Sequence, residues 1–194
     1  LELLNDKDAE VRAQAAKVLG ESAYSAALKP LVTLLKDPSL RVRFHASLAL
    51  GKLKSAKAIQ PLLELVEEND DADAFLRHAA VMGLVGSVKA DPKVLLETTS
   101  SPHSSVRLAA ILALRRHAYP GISSFLKDGD LYLVTETARA IHDDFSIPEA
   151  LPALAEILDR SDLEGEPLLR RAINANFRVG RPSDAERLAR YAAN

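Results

Sequence analysis

The stretch Val11-Arg12-x-x-Ala15-Ala16-x-Val18-Leu19-Gly20 returns as Val42-Arg43-x-x-Ala46-x-x-Ala49-Leu50-Gly51, and weaker copies follow to the end of the chain. The apolar residue that begins each copy recurs about every thirty residues, at Val11, Val42, Leu76, Val106, Val134 and Leu169. A unit of this size is too small to bury its own apolar face, so neighbouring units must stack on one another. The repeat therefore predicts an all-α solenoid of stacked helix pairs.

Each unit has the pattern of two amphipathic helices. In the second unit, the residues Val42, Ala46, Ala49, Leu50 and Leu53 form the apolar stripe of the second helix. A Leu-rich first helix precedes it, and Asp or Ser residues that suit an N-cap separate the two. The pattern predicts no strand and helices at 1–5 (partial), 9–19, 27–36, 40–53, 58–68, 74–85, 91–99, 104–117, 121–127, 131–143, 148–158, 166–179 and 183–193.

Glycines stand near the ends of several second helices. Since a left-handed residue commonly ends a helix, these glycines are predicted to be C-terminal caps: Gly20, Gly51, Gly86 and Gly180.

The units form one continuous array over residues 1–194. Their predicted limits are about 1–20, 27–53, 58–86, 91–117, 121–144 and 148–180, with a half unit at 182–194. The chain starts at Leu1 and its one methionine is Met82. We therefore expect it to be a segment of a longer protein.

Composition disfavours several classes of function. The 25 basic and 27 acidic residues give a net charge of −2, which opposes wrapping a nucleic acid. The absence of Cys excludes disulfides, thiolate metal sites and a Cys nucleophile within these residues. No apolar run approaches the roughly eighteen residues that span a bilayer, so no membrane insertion is expected. No signal peptide opens the chain.

The repeat wording resembles the short bacterial HEAT-like repeat over the whole chain, which implies a right-handed α-solenoid of about six HEAT-like helix pairs. The later units, such as Glu136-x-Ala138-Arg139-Ala140-Ile141-His142-Asp143, resemble the HEAT domain of large exported planctomycete and Bacteroidetes proteins. In those proteins the array is joined to a sugar-dehydrogenase-like propeller and a c-type cytochrome domain. The resemblance implies a spacer and docking domain in a periplasmic or otherwise exported redox protein; without it, the cytoplasm is the expected compartment.

One arginine recurs just inside the second helix of four units. In HEAT-type arrays this arginine typically meets the turn aspartate of a neighbouring unit, which sets the stacking angle. The predicted ladder consists of Arg12, Arg43, Arg77 and Arg107, with Asp37 and Asp73 among the partners.

The C-terminal units contain the candidate interaction surface. His142-Asp143-Asp144 lacks a second His four residues away, so we expect no metal site there. Asn is a poor helix former, and two Asn side chains lie in the middle of the last second helix, next to several arginines. These asparagines either tie the unit to whatever follows it in the parent chain or line a binding surface. The residues singled out are His142, Asp143, Arg170, Arg171, Asn174, Asn176 and Arg178.

The sequence predicts a non-catalytic scaffold that binds neighbouring domains or partner proteins. Neither a phosphate loop nor a nucleophile elbow occurs, and we identify no catalytic residue, cofactor or small-molecule ligand. Two alternatives remain open. A HEAT-like bilin lyase or related enzyme on a protein substrate would need a pocket with converging polar and aromatic groups. A HEAT-like DNA glycosylase would need a basic groove.

Overall fold

The computed structural model describes residues 1–143, 147–162 and 164–193, and within these ranges it contains helices and turns but no strand. The prediction of an all-α solenoid of about six helix pairs is confirmed. Residues 144 and 194, at which two of the predicted units end, lie outside the described ranges.

The α-helices alternate along the chain with short 3-10 helices. The α-helices are α1 (Ala9–Glu21), α2 (Leu28–Thr33), α3 (Leu40–Leu53), α4 (Ile59–Asn69), α5 (Ala74–Ser87), α6 (Ser104–Arg116), α7 (Leu131–His142), α8 (Leu151–Ala155), α9 (Glu166–Val179) and α10 (Pro182–Ala192). The 3-10 helices are Glu2–Asn5, Ser25–Ala27, Leu34–Lys36, Ala56–Ala58, Pro92–Ser100, Pro120–Lys127, Pro148–Ala150 and Glu156–Asp159.

Second helices pack side by side in one row, in the order α1, α3, α5, α6, α7 and α9. The first helices form the other row, and α10 closes the array against α9 and Glu156–Asp159. Between the rows lies a continuous core of Leu, Ala, Val and Ile in which Leu31, Leu50, Leu62 and Leu114 are fully buried. Each such side chain contributes about 2 kcal/mol through removal of apolar surface from water.

The first helices differ from the prediction because 3-10 geometry extends through much of them. Pro92–Ser100 and Pro120–Lys127 are wholly 3-10, and α2 and α8 have 3-10 turns at both ends. A 3-10 helix rises about 2.0 Å per residue and an α-helix about 1.5 Å. A short first helix therefore spans nearly the length of the longer second helix that it must cover.

Three of the four glycines predicted as caps have another role. Gly20, Gly51 and Gly86 lie inside α1, α3 and α5, and only Gly180 ends a helix in the left-handed conformation, at φ 68°. Instead, Ala23, Lys54 and Ala118 adopt positive φ after second helices. Each of the three glycines lies against a neighbouring second helix, where the row packs tightly.

The spacing at these glycines leaves no room for a side chain. A Cβ atom on Gly20 would lie 2.6 Å from Ala49 Cα, and one on Gly51 would lie 3.0 Å from Gly83 Cα and 2.7 Å from the Met82 carbonyl oxygen. A Cβ atom on Gly86 would overlap the backbone of Gly51. Backbones of α1, α3 and α5 thus approach one another directly.

The outward face of α1 is an apolar surface. Val18 is 58% exposed, although its repeat equivalent in α3, Ala49, is 2% exposed. Val18 lines a cleft of about 410 Å³ together with Leu1, Leu3, Val11, Ala15 and Leu19. In the inner units an adjoining second helix covers the equivalent positions, but no second helix of the described residues covers them on this face of α1.

Candidate protein-interaction surface

Arg12 and Asp37 form a bidentate ion pair between the first and second units. Arg12 Nε lies 2.7 Å from Asp37 Oδ2, and Arg12 Nη2 lies 2.9 Å from Oδ1. Arg12 also donates to the carbonyl oxygens of Asp6 and Lys7. The Arg12 hydrogen bonds lower the pKa of Asp37. The pair therefore joins the turn of one unit to the second helix of the one before.

Arg107 makes the same kind of contact three units later. Its Nε lies 2.7 Å from Asp128 Oδ2, and its Nη1 donates to the Ser101 carbonyl oxygen at 2.7 Å. Arg43 behaves differently, since it donates to the Asp37 carbonyl oxygen and pairs with Glu68 Oε1 at 2.9 Å. Asp128 and Glu68 were not among the predicted partners, although both precede or occupy a turn.

Asp73 is not a ladder partner. Its carboxylate accepts the Leu76 N–H at 2.8 Å and so caps the N-terminus of α5, while Asn69 bonds its backbone. Arg77 instead pairs with Asp71, with Nη1 3.0 Å from Oδ1. The next turn along the chain, Ser101-Pro102-His103, offers Arg77 no aspartate.

A cleft of about 600 Å³ opens where the row of second helices passes from α5 to α6 and the end of α7. We call it the second-helix groove. Its floor is apolar and its walls are mostly basic, and its lining consists of Ala74, Arg77, His78, Val81, Met82, Leu112, Arg115, Arg116, Ala118 and Asp143.

The groove lies where the close glycine contacts stop. In the repeat register, the position of Gly20 and Gly51 is taken by Val85 in α5, Arg115 in α6, Asp143 after α7 and Arg178 in α9. All four side chains are larger than that of glycine, so the backbones cannot approach one another here as they do at Gly51. From α6 onwards the same position also carries a charge.

Five of the seven predicted surface residues meet at the C-terminal end of this groove. Asp143 accepts from Arg171 Nη2 at 2.6 Å and from Arg171 Nε at 2.9 Å, and its Oδ1 lies 3.0 Å from His142 Nδ1. His142 Nε2 lies 2.8 Å from Asn174 Oδ1, and Arg178 donates to the His142 carbonyl oxygen. We call these residues the His142 cluster.

The cluster connects α7 to α9 through charged and polar contacts. The Arg171 hydrogen bonds, followed by that from His142, lower the pKa of Asp143 to about 2. The Asp143 carboxylate is therefore ionised at neutral pH, and its two hydrogen bonds hold the Arg171 side chain in place. Asp144, which the sequence grouped with His142 and Asp143, lies outside the described residues.

Asn176 does not belong to the predicted surface, because it is 1% exposed. Its amide donates to the carbonyl oxygens of Ala155 and Ala172 at 2.8 Å, and its Oδ1 accepts from Arg187 at 3.0 Å. Arg170 is exposed on α9 and does not line the groove. Asn176 therefore connects α9 to α8 and α10 and has neither of the two roles considered for the asparagines, while Asn174 is exposed beside His142.

A buried ionic network that the sequence did not reveal fixes the last helix. Arg187, 8% exposed, pairs with Asp159 Oδ2 at 2.7 Å and with Asp184 Oδ1 at 2.8 Å. Arg181 also pairs with Asp184, and these hydrogen bonds lower the pKa of that carboxyl group. The arginine-rich C-terminus is thus partly structural.

The first part of the array is similar to a known family. Residues 1–85 match the family model of HEAT repeats. A search of the curated proteins gave no match.

Several solved structures are similar to this chain. An engineered protein matches at 20% identity and a TM-score of 0.47, over 98% of this chain and 60% of its own. The CpcE–CpcF complex of phycocyanin lyase from Nostoc sp. PCC7120 matches at 26% identity and 0.48, over 96% and 77%. Human deoxyhypusine hydroxylase matches at 19% and 0.41, over 97% and 75%. All three scores lie below 0.5, so no activity is carried over to this chain.

Two searches of the described residues concern metals and membranes. Within residues 1–143, 147–162 and 164–193, no group of three or more His, Asp or Glu could hold a metal ion. None of the helices described is long and apolar enough to cross a bilayer.

Proposed function

We propose that this chain is a non-catalytic protein-interaction scaffold whose binding surface is the second-helix groove together with the His142 cluster. The observation that carries the proposal is the change at one repeat position. It is glycine in α1 and α3, which closely approach the next second helix, and it becomes Val85 in α5 and then Arg115 and Asp143, which line an open cleft.

The geometry suits recognition of another polypeptide. The groove has an apolar floor of Val81, Met82 and Leu112, which rewards burial of side chains, and a polar rim that orients a partner. The arginines stand on the helices α5 and α6, so the positions of their backbones are set before a partner docks.

The proposal can be tested by selecting binders from a library of displayed random peptides with the intact chain as bait. We expect that most selected peptides bind through the groove, so that His78→Trp, which places a bulky ring on its wall, abolishes their binding. His78 is exposed, so this variant should fold.

The matched control is Lys57→Trp, an exposed position in the 3-10 helix Ala56–Ala58 that lines none of the clefts described above. Peptides selected on the wild-type chain should still bind this variant. Binding that is lost equally in both variants, or in neither, would refute the groove as the interaction surface.

We also propose that the array spaces other domains within a larger exported protein, as the resemblance of its later units implies. The uncovered apolar face of α1 is compatible with further packing at that end. Sequencing the flanking parts of the parent gene tests this. A propeller domain and a Cys-x-x-Cys-His motif would support it, and a translation start at residue 1 would contradict it.

A further inference from the structure

We infer that the second-helix groove selects an acidic segment of a partner protein that also carries apolar side chains. This inference rests on the proposed function and names the chemistry of its partner.

The sign of the charge around the groove is the first argument. Three arginines and one carboxylate line it: Arg77, Arg115 and Arg116 against Asp143. Asp71, which pairs with Arg77, adds a second acid and still leaves an excess of positive charge. The chain as a whole has a net charge of −2, so the groove differs in sign from the molecule overall.

The acids near the groove are already matched. Asp143 is held by Arg171, Asp71 pairs with Arg77, and Glu136 lies 3.6 Å from Arg139. Arg116 is exposed on the groove wall and, within the described part of the chain, it forms no ion pair or hydrogen bond. Its guanidinium group is therefore available to a carboxylate, which it can bind through two parallel hydrogen bonds.

The floor of the groove indicates a polypeptide rather than a nucleic acid. Val81, Met82 and Leu112 offer apolar surface, and Met adapts its shape to different side chains. No aromatic residue is among those lining the groove, whereas single-stranded nucleic acids are held by stacking on aromatic rings.

The experiment measures fluorescence anisotropy of a labelled peptide of alternating Glu and Leu mixed with the intact chain. We expect saturable binding that weakens as salt is added, because the attraction is electrostatic. The same peptide with Gln in place of Glu should bind about tenfold more weakly, which corresponds to the loss of one charge-assisted hydrogen bond.

Two variants of equal charge change distinguish the groove from a general field effect. Arg116→Glu should weaken binding about tenfold or more. Arg170→Glu, at an exposed position on α9 outside the groove, should leave it within about twofold. Equal loss in both variants, or equal affinity for the Glu and Gln peptides, would overturn the inference.

An oligonucleotide of matched charge completes the test. Tighter binding of the oligonucleotide than of the acidic peptide would show that the groove serves a nucleic acid and would overturn the inference. Failure of this inference is distinguishable from failure of the proposed function. Displayed peptides that depend on the groove but are not acidic would uphold the scaffold and reject the acidic partner.

Discussion

At the scale of single residues, ion pairs between arginine and a carboxylate occur both buried between units and exposed on the surface of this molecule. Arg12 and Asp37 are largely buried between units, with side chains 13% and 5% exposed. Arg41 and Glu10 form a pair of similar geometry on the surface, where both side chains are more than half exposed. Burial, rather than distance, decides how much each pair stabilises the fold.

The variant Arg12→Ala tests this difference. It leaves the Asp37 carboxylate buried with its main partner removed, so the free energy of unfolding should fall by about 3 kcal/mol. Arg41→Ala is the matched control and should change it by less than about 1 kcal/mol. Urea denaturation measures both. Equal effects of the two variants would show that the Arg12 pair contributes nothing special to stacking.

The Asp143 carboxyl group should make stability depend on pH. Its pKa falls from 3.8 to about 2 in the folded protein because Arg171 and His142 hydrogen bond to the ionised form. Since the folded pKa is depressed, this stabilisation is fully present above about pH 4 and is lost as the pH falls towards 2. It should amount to about 2 kcal/mol.

Comparing the wild type with Asp143→Asn between pH 7 and pH 2 measures that contribution. The variant should be less stable at pH 7, and the difference should disappear near pH 2. A difference that persists at pH 2 would mean that the carboxylate charge is not the cause. NMR titration of the Asp143 carboxyl carbon gives the pKa directly.

At the scale of helices, small residues at one repeat position decide how closely second helices pack. Ala is normally a better helix former than Gly by about 1 kcal/mol. At Gly51, however, a Cβ atom would lie 2.7 Å from the Met82 carbonyl oxygen and 3.0 Å from Gly83 Cα, and backbone atoms cannot move aside cheaply.

Gly51→Ala should therefore destabilise the protein by about 2 kcal/mol in spite of the helix propensity of Ala. Gly129→Ala is the control, because nothing lies within 4 Å of a Cβ atom at that position. Thermal unfolding followed by circular dichroism compares the two. A Gly51→Ala variant that melts at or above the wild-type temperature would contradict the close approach of α3 and α5.

At the scale of the whole molecule, the same repeat position can be compared between an inner unit and the end of the array. Val18 and Ala49 occupy the same repeat position, but only Ala49 is covered by a neighbouring second helix. Position in the array, rather than residue type, sets how far a substitution is tolerated.

Val18→Glu should accordingly change the free energy of unfolding by no more than about 0.5 kcal/mol. Ala49→Glu should cost more than about 3 kcal/mol, since it places an unpaired charge between packed helices. Urea denaturation decides between them. Strong destabilisation by Val18→Glu would show that the α1 face is covered in this chain.

The fold was predictable because each helix pair is short and its contacts are local. The apolar spacing of Val42, Ala46 and Leu50 places the second helix almost as the structure does. Gly20 and Gly51, however, do not cap helices, because they are needed for close packing between second helices. The sequence alone does not show which atoms of a neighbouring helix lie against a glycine. For the same reason it does not show long-range ion pairs such as that of Arg187 with Asp159.

The groove was only partly predictable. The sequence singled out His142, Asp143 and Arg171, but it missed Arg115, Arg116 and His78, because the apolar pattern of α5 and α6 gives no sign that their backbones separate. The available signal was the repeat register itself, in which Gly51 aligns with Arg115 and Asp143. Asn176 was misplaced because a buried amide and an exposed one look alike in a sequence.

The glycine contacts between α1, α3 and α5 also set how the molecule responds to force. Backbones in direct contact leave little free volume, so the first half of the array resists bending and stretching as a stiff rod. From α6 onwards longer side chains separate the helices, and that half yields more under the same load. If the two ends were pulled apart, the array would therefore extend first around the groove, where the stiffer half meets the more compliant half.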